Sequence, residues 1–179
     1  MRKKITVNSN NCKNMYLLEP GKFFCILFIA LTAIVISGCG SKNLSLSDIA
    51  KKDNARIGEY NKSYALPPSG GFSVENVQFF PEFDVGQELL KNVVAMTVIG
   101  DADSIKTYQS EYGTVALFDP QGNTNININS GVYQDKENDK LFMLYFSDED
   151  ISNYTYLVLG GFEKDKNDGK SRLAYEITR

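Results

Sequence analysis

The sequence of 179 residues contains no histidine and no tryptophan, and it contains only three cysteines. The absence of histidine excludes Ser-His-Asp and Cys-His catalytic sites and zinc sites with histidine ligands. The sequence also lacks a glycine-rich phosphate loop and a dinucleotide fingerprint. We therefore predict no catalytic residues, no cofactor and no metal site, and we predict that the chain is not an enzyme. A hydrolase that uses carboxylates is the third-ranked alternative.

The longest apolar run extends from Phe23 to Ile36 and has 14 residues. A helix needs roughly 20 apolar residues to cross a bilayer, whereas the apolar part of a signal peptide has about 7–15. The run therefore predicts an export signal, and a short membrane helix or a buried core helix is the alternative. Five basic residues precede the run, as is typical of a signal peptide: Arg2, Lys3, Lys4, Lys13 and Lys22.

The residues at the end of this run are Ile36-Ser37-Gly38-Cys39. They resemble the lipobox of bacterial lipoproteins, which has an aliphatic residue, two small residues and an obligatory cysteine. The resemblance implies that Ile36, Ser37 and Gly38 are recognised by the signal peptidase, that the signal peptide spans 1–38, and that Cys39 carries the lipid. Because Gly40 follows, it also implies the outer membrane in a bacterium with two membranes, and otherwise the outer face of the plasma membrane.

The cysteines and the charge limit what the mature chain can use and bind. Cleavage before Cys39 would remove Cys12 and Cys25, so the exported part would have no disulfide and would depend on an ordinary core. Residues 39–179 carry 14 Lys and Arg and 21 Asp and Glu, a net charge of −7. This acidic balance argues against nucleic acid. The predicted partners are the membrane, through the lipid on Cys39, and an envelope protein.

Residues 39–71 are predicted to tether the folded part to the membrane. Gly40 to Ser47 is small and polar, and Pro67-Pro68-Ser69-Gly70-Gly71 is typical of a hinge. Between them, Ser47-Asp48 is a possible start of a short helix that would dock on a partner or on the domain's own surface, but a partly ordered linker is slightly favoured. As coil, residues 40–71 would span roughly 30 Å on average and about 100 Å at full extension.

Residues 72–179 are predicted to form a compact β-rich domain. The spacing of apolar residues predicts two helices, Asp84–Asn92 and Asp103–Tyr112. The fold class is therefore α+β, with a mainly antiparallel β-sheet of about seven strands and two short helices near the front of the domain, or a small β-sandwich. The predicted strands are Phe72–Phe80 (ended by Pro81), Val93–Ile99, Thr114–Phe118, Asn123–Ser130, Lys140–Phe146, Tyr154–Phe162 and Arg172–Thr178.

Three groups of residues are candidates for binding. Asp148-Glu149-Asp150 and the cluster of Asp135, Glu137 and Asp139 offer oxygen ligands to calcium, although solvated turns explain them more simply. Asn123–Asn129 is either an edge strand open to a partner or an ordinary paired strand. An exposed aromatic face would suit a protein or a glycan unless a second layer covers it, and its candidates are Tyr133, Phe142, Tyr145, Phe146, Tyr154, Tyr156, Phe162 and Tyr175.

The sequence thus predicts a lipid-anchored envelope protein with a binding or assembly role at the membrane surface. The alternative is a lipoprotein that binds a small ligand or a glycan in a pocket between the sheet and the helices. An apolar pocket with a few polar groups would favour the ligand, and an exposed aromatic patch would favour a protein partner. Two buried carboxylates that face each other in a cleft would favour the hydrolase.

Overall fold

The computed structural model describes residues 42–125, 127–162 and 164–179. The predicted signal peptide and the lipobox lie outside the described residues. Lys42–Arg179 is one compact unit. Its helices are α1 (Leu46–Lys52) and α2 (Ala102–Thr107), and a π-helical turn (Tyr108–Tyr112) continues α2. The described strands are β1 (Arg56–Ile57), β2 (Ser63–Ala65), β3 (Gly71–Asp84), β4 (Leu89–Gly100), β5 (Thr114–Phe118), β6 (Thr124–Asn125), β7 (Asn129–Gln134), β8 (Leu141–Phe146), β9 (Tyr156–Gly160) and β10 (Arg172–Glu176).

These strands form two sheets of five strands each. The strand order is β1-β10-β9-β5-β6 in the first sheet and β2-β3-β4-β8-β7 in the second. The strand pairs are antiparallel except for β1 with β10, which is parallel. The structure is α+β and sandwich-like with about 45% strand, which confirms the predicted fold class. Seven of the described strands have five residues or more, as many as the sequence predicts.

The main core lies between the two sheets, and each sheet has a second apolar face on its outer side. In β4, Val94 and Met96 join the core between the sheets, whereas Val93 and Ala95 join a separate cluster on the outer face. This alternation follows from the pleat of the strand, which directs successive side chains to opposite faces. Strand β9 alternates in the same way, and its outer face packs against α1.

The described residues before Phe72 belong to the packed unit. The prediction that residues 39–71 form a tether is therefore corrected for residues 42–71. Helix α1 begins after Ser45, whose hydroxyl accepts a hydrogen bond from the Asp48 N–H. The Asp48 carboxylate accepts one from the Ser45 N–H at 2.9 Å, so the two residues form a capping box. Ile49 is fully buried against the first sheet. After α1, β1 pairs with β10, and β2 pairs with β3.

Two features of this segment that suggested a linker have structural roles. The predicted hinge at Pro67–Gly71 is the turn between β2 and β3, where the Leu66 N–H donates to the Gly70 carbonyl at 3.1 Å. Gly58, which weakens any helix prediction here, lies over the ring of Tyr175. A Cβ on Gly58 would overlap that ring. Packing against Tyr175 therefore requires glycine here, and Gly58 does not mark a flexible linker.

The helix predicted over Asp84–Asn92 is wrong, because β3 and β4 form a long antiparallel hairpin here. Val85 N–H donates to the Glu88 carbonyl at 3.0 Å, and the Asp84 carboxylate accepts from the Gly86 N–H at 2.6 Å, so Asp84 closes a turn instead of capping a helix. The apolar residues after the turn fit a strand as well as a helix, and pairing favours the strand. β3 also continues past the predicted stop at Pro81, where it is no longer paired with β2.

The strand predicted over Asn123–Ser130 is also wrong as a single element. Thr124–Asn125 pairs with β5 in the first sheet, whereas β7 starts at Asn129 and pairs with β8 in the second. This stretch therefore crosses from one sheet to the other, and its alternating pattern does not reveal the crossover. The helix predicted over Asp103–Tyr112 is confirmed as α2 and its π-helical continuation.

Candidate functional site

The outer face of the second sheet carries the largest group of half-buried aromatic side chains in the described structure, and we call it the aromatic face. Its floor consists of the buried residues Val93, Ala95 and Leu144 from β4 and β8. Around this floor, side chains of β3, β4, β7 and β8 and of the β3–β4 turn are only partly buried: Phe80, Phe83, Val85, Leu90, Tyr133, Phe142 and Phe146.

The far end of the β3–β4 hairpin is held over this face by aromatic contacts. The ring of Phe83 meets the rings of Phe80 and Phe142 edge-on at 5.4 Å each, and it meets that of Tyr133 at 6.0 Å. Such pairs contribute about 0.5–1.5 kcal/mol each beyond the area that they bury. Phe83 therefore fixes the position of the hairpin turn relative to β7 and β8.

A groove remains between the hairpin turn and strands β7 and β8. It encloses about 360 Å³ and is open to solvent. Seven of its nine lining residues are apolar, although polar atoms provide about half of the lining surface, and the polar side chains include Gln87 and Glu88 of the turn. The apolar lining consists of Val85, Leu90, Gly131, Val132, Tyr133, Leu144 and Phe146.

Gly131 lies opposite Leu144 in the β7–β8 pair and lines the groove. A Cβ placed on Gly131 would have no described atom within 4 Å, apart from its neighbours in the chain. Gly131 is also not among the residues with positive φ in the described chain. The absence of a side chain here thus leaves open space beside Gly131 in the groove. Leu144 forms part of the lining but is only 2% exposed, because neighbouring side chains already cover it.

A second cavity of about 490 Å³ adjoins the groove and shares Val85, Gln87 and Tyr133 with it. Acidic residues outnumber basic ones around the two cavities. The basic residue is Lys136, and the acidic residues are Asp84, Glu88, Asp135 and Glu137. None of the four acidic residues forms a salt bridge within the described ranges. The groove therefore has an apolar floor and an unpaired acidic rim.

The structure distributes the predicted aromatic candidates over several environments. Tyr145 and Phe146 point to opposite faces, as their adjacency in a strand predicts. Tyr133, Phe142 and Phe146 belong to the aromatic face, whereas Tyr145, Phe162 and Tyr175 lie in the core between the sheets, Tyr154 packs against that core, and Tyr156 packs on the side of α1.

The buried tyrosines of the core have shifted pKa values. Burial raises the pKa of the phenols of Tyr108, Tyr145 and Tyr175 above the ordinary value. The Tyr108 hydroxyl donates to the Gly160 carbonyl at 2.7 Å. These groups stay neutral at pH 7 and do not line the groove, so they act as packing groups of the core, and among the described residues the Tyr175 hydroxyl has no hydrogen-bond partner.

The acidic clusters proposed for calcium form turns. Asp150 accepts from the Ser152 N–H at 2.8 Å, and Asp135 accepts from the Glu137 N–H at 2.9 Å. Asp119 is the buried carboxylate of the described chain, and its three hydrogen bonds go to Gln121 and Asn123 within one turn. Among the described residues, no three His, Cys, Asp or Glu side chains converge as a metal site would require.

Sequence reasoning missed the residues that build the groove: Phe80, Phe83, Val85, Leu90 and Gly131. One signal was available, because Val93 to Val98 is apolar at every position except Thr97. A strand that is apolar at consecutive positions is buried on both faces, which implies a second apolar layer outside the sandwich.

Comparisons of the chain with protein-family models, with curated proteins and with solved structures find no significant match. What the groove binds must therefore be inferred from its shape and charge. Within the residues that the structure describes, no helix is both long enough and apolar enough to cross a bilayer.

Proposed function

We propose that the chain is a lipid-anchored protein of the bacterial envelope and that its domain binds a protein partner at the membrane surface. The observation that carries the binding role is the open groove on the aromatic face, with its apolar floor and unpaired acidic rim. Exposed apolar surface of this kind marks interaction sites on soluble domains.

The anchor proposed at Cys39 is close to the packed domain in sequence. The Leu44 N–H donates to the Pro120 carbonyl, and the Leu44 carbonyl accepts from the Tyr156 hydroxyl, both at 2.7 Å. Five residues after Cys39, the chain is thus already fixed to the domain, and five residues reach about 18 Å at most. The domain would therefore lie near the headgroups, much closer than a coil over 40–71 would allow.

The anchored end and the groove belong to different layers of the molecule. Leu44 packs with α1 on the outer face of the first sheet, whereas the groove lies on the outer face of the second. An anchor at Cys39 would therefore leave the groove accessible. This arrangement suits a protein that is held at the membrane and presents a binding face to a partner.

A small ligand is the second candidate occupant of the groove. Its volume of about 360 Å³ falls within the range of roughly 300–1,000 Å³ that is usual for ligand sites. Such sites bury most of the ligand surface, however, and this groove is open along one side. The protein partner is therefore preferred.

The test has two parts, and the first concerns the anchor. Cys39→Ala should abolish labelling by radioactive palmitate and leave a precursor of full length, because the thiol that accepts the lipid is absent. Cys25→Ala is the matched control, since this cysteine lies in the segment that would be removed, and it should be labelled and cut normally. A Cys39→Ala protein of mature size that still carries the label would disprove the anchor.

The second part concerns binding in intact cells. A photo-crosslinking residue at Gln87, on the rim of the groove, should give a discrete protein adduct, whereas the same residue at Lys51 on α1 should not. Gln87 and Lys51 are both exposed, so accessibility alone does not distinguish them. Equal adducts from both positions, or none from Gln87, would contradict a binding role for the groove.

A further inference from the structure

Gly131 has no structural reason to be glycine. It lies in the middle of β7, where glycine costs roughly 0.5–1 kcal/mol relative to alanine. Its φ is not in the left-handed region, and a side chain would meet no described atom within 4 Å. Glycine in a strand often marks a position where a ligand or another backbone approaches closely. Here its consequence is the open space beside Gly131 in the groove.

The residues that line this space favour an apolar group. The floor is Leu144, and the walls include Val85, Leu90 and Phe146. The rim is acidic, and its carboxylates have no basic partner in the described chain. Tyr133 borders both the groove and the adjoining cavity, whose lining includes Asp84, Asp135, Lys136 and Glu137.

Charge complementarity therefore decides between possible occupants. A neutral or acidic ligand would leave the rim carboxylates uncompensated, whereas Lys or Arg next to the inserted group would approach both these carboxylates and the ring of Tyr133. A second copy of this chain is disfavoured, because residues 39–179 have a net charge of −7.

We propose that the groove binds a basic segment of a partner protein, which inserts one large apolar side chain beside Gly131 and places flanking Lys or Arg side chains over the acidic rim. This inference rests on the proposed function, since it names the partner chemistry of the same groove. Gly131 keeps the groove open, and Glu88 and Glu137 contribute to the selection for positive charge.

The test uses the full chain in detergent micelles and three synthetic peptides of equal length. The first has a central Phe flanked on each side by two Lys, the second replaces Lys by Glu, and the third replaces Phe by Ser. Binding is followed by NMR through the amide signals of Gly131 and Leu144. The Lys-Phe peptide should give saturable shifts, the Ser peptide should bind at least about tenfold more weakly, and the Glu peptide should not bind.

Substitutions in the groove, on its rim and elsewhere test where the Lys-Phe peptide binds. Gly131→Val should fill the groove and weaken binding of the Lys-Phe peptide at least about tenfold, with Leu144 as the reporter. The pair Glu88→Gln and Glu137→Gln should weaken binding several-fold and reduce its salt dependence, because two rim charges are lost. Glu75→Gln with Glu111→Gln removes two charges elsewhere and should leave binding unchanged. The double Gln variants keep the proposal testable if Gly131→Val does not fold.

Several outcomes would overturn the inference. They are equal binding of the three peptides, undiminished binding to Gly131→Val, or shifts produced by a small aromatic such as indole without any preference among the peptides. If the peptides fail while the Gln87 adduct forms in cells, the partner chemistry is wrong and the binding role survives. If the peptides bind selectively but no adduct forms, the groove recognises basic segments and the proposed function fails.

Discussion

The two outer faces of the sandwich are both apolar, but they are covered in different ways. On the first sheet, α1 seals the face, and Ile49, Ala50 and Phe118 are at most 5% exposed. On the second sheet, the hairpin covers the face only in part, and the side chains around its floor remain half-buried. One sequence therefore covers the centre of one apolar face with a helix and leaves a groove in the other.

The sealed face shows what closure requires. Small side chains at the helix–sheet contact allow α1 to approach closely: Ala50, Ala55, Ala116 and Ala174. Polar groups fix its ends, since the capping box starts the helix and the Lys52 ammonium donates to the Gly122 carbonyl at 2.6 Å. The aromatic face has large side chains at its rim and none at Gly131. The groove is thus open because of the residue types at these positions. This supports a role of the aromatic face in binding more than a role in stability.

The largest expected effect comes from weakening the seal. Ile49→Ala should lower the free energy of unfolding by about 3 kcal/mol, because Ile49 is fully buried and such truncations cost roughly 2–5 kcal/mol. Leu90→Ala, on the aromatic face, is the matched substitution. It should cost about 1 kcal/mol, since Leu90 is only partly buried and the groove already lies beside it.

Urea denaturation of the full chain in detergent measures both values. Equal losses for the two variants would mean that the faces are equally well packed, and the contrast between them would be wrong. A larger loss for Leu90→Ala would mean that the hairpin, and not α1, provides the main outer layer.

A second comparison uses two glycines. Gly58→Ala should destabilise the domain by about 1–3 kcal/mol, because the new Cβ would overlap the Tyr175 ring in a packed region. Gly131→Ala should change stability by less than about 0.5 kcal/mol or increase it slightly, because open space receives the methyl group and β-propensity improves. Thermal unfolding of the two variants side by side tests this. A large loss for Gly131→Ala would show that the groove is not open.

The sequence was sufficient to predict the fold class and most of the strands, because alternation of apolar residues reports which strands are buried. It was not sufficient for the region of Asp84–Asn92, where the same apolar residues satisfy a helical period and a strand. Only the pairing of Leu89–Lys91 with Glu82–Asp84 of β3 decides between the two. The packed role of Gly58 likewise depends on Tyr175, at the other end of the domain.

The candidate groove was less predictable for the same reason. Tyr133, Phe142 and Phe146 were candidates from composition and alternation, but Val85 and Leu90 come from Asp84–Asn92, the segment that was predicted as a helix. The groove also depends on a missing side chain, Gly131, whose significance appears only when the space above it is known. Local patterns report which residues are apolar, whereas the contact between distant strands determines which face stays open.

A third comparison concerns the turn at Asp119–Asn123, where the Pro120 carbonyl accepts from the Leu44 N–H. Burial raises the pKa of Asp119, but the hydrogen bonds that its carboxylate accepts from Asn123 and Gln121 outweigh it and hold this pKa below the ordinary value of 3.8. The carboxylate therefore adds stability above the unfolded pKa, and this contribution is lost as the pH falls through the lower folded value. Asp119→Asn should lower Tm by a few degrees at pH 7, and the difference from the natural chain should shrink below pH 4.

Asp84→Asn supplies the comparison with the other face, because Asp84 is exposed and its turn has one hydrogen bond to the carboxylate where the Asp119 turn has three. It should change Tm at pH 7 by less than Asp119→Asn does. Melting curves of the three proteins at pH 7, 5, 4 and 2.5 measure both effects. A difference between Asp119→Asn and the natural chain that stayed constant down to pH 2.5 would show that the charge of Asp119 does not stabilise the turn. The seal over the first sheet would then depend on packing and neutral hydrogen bonds.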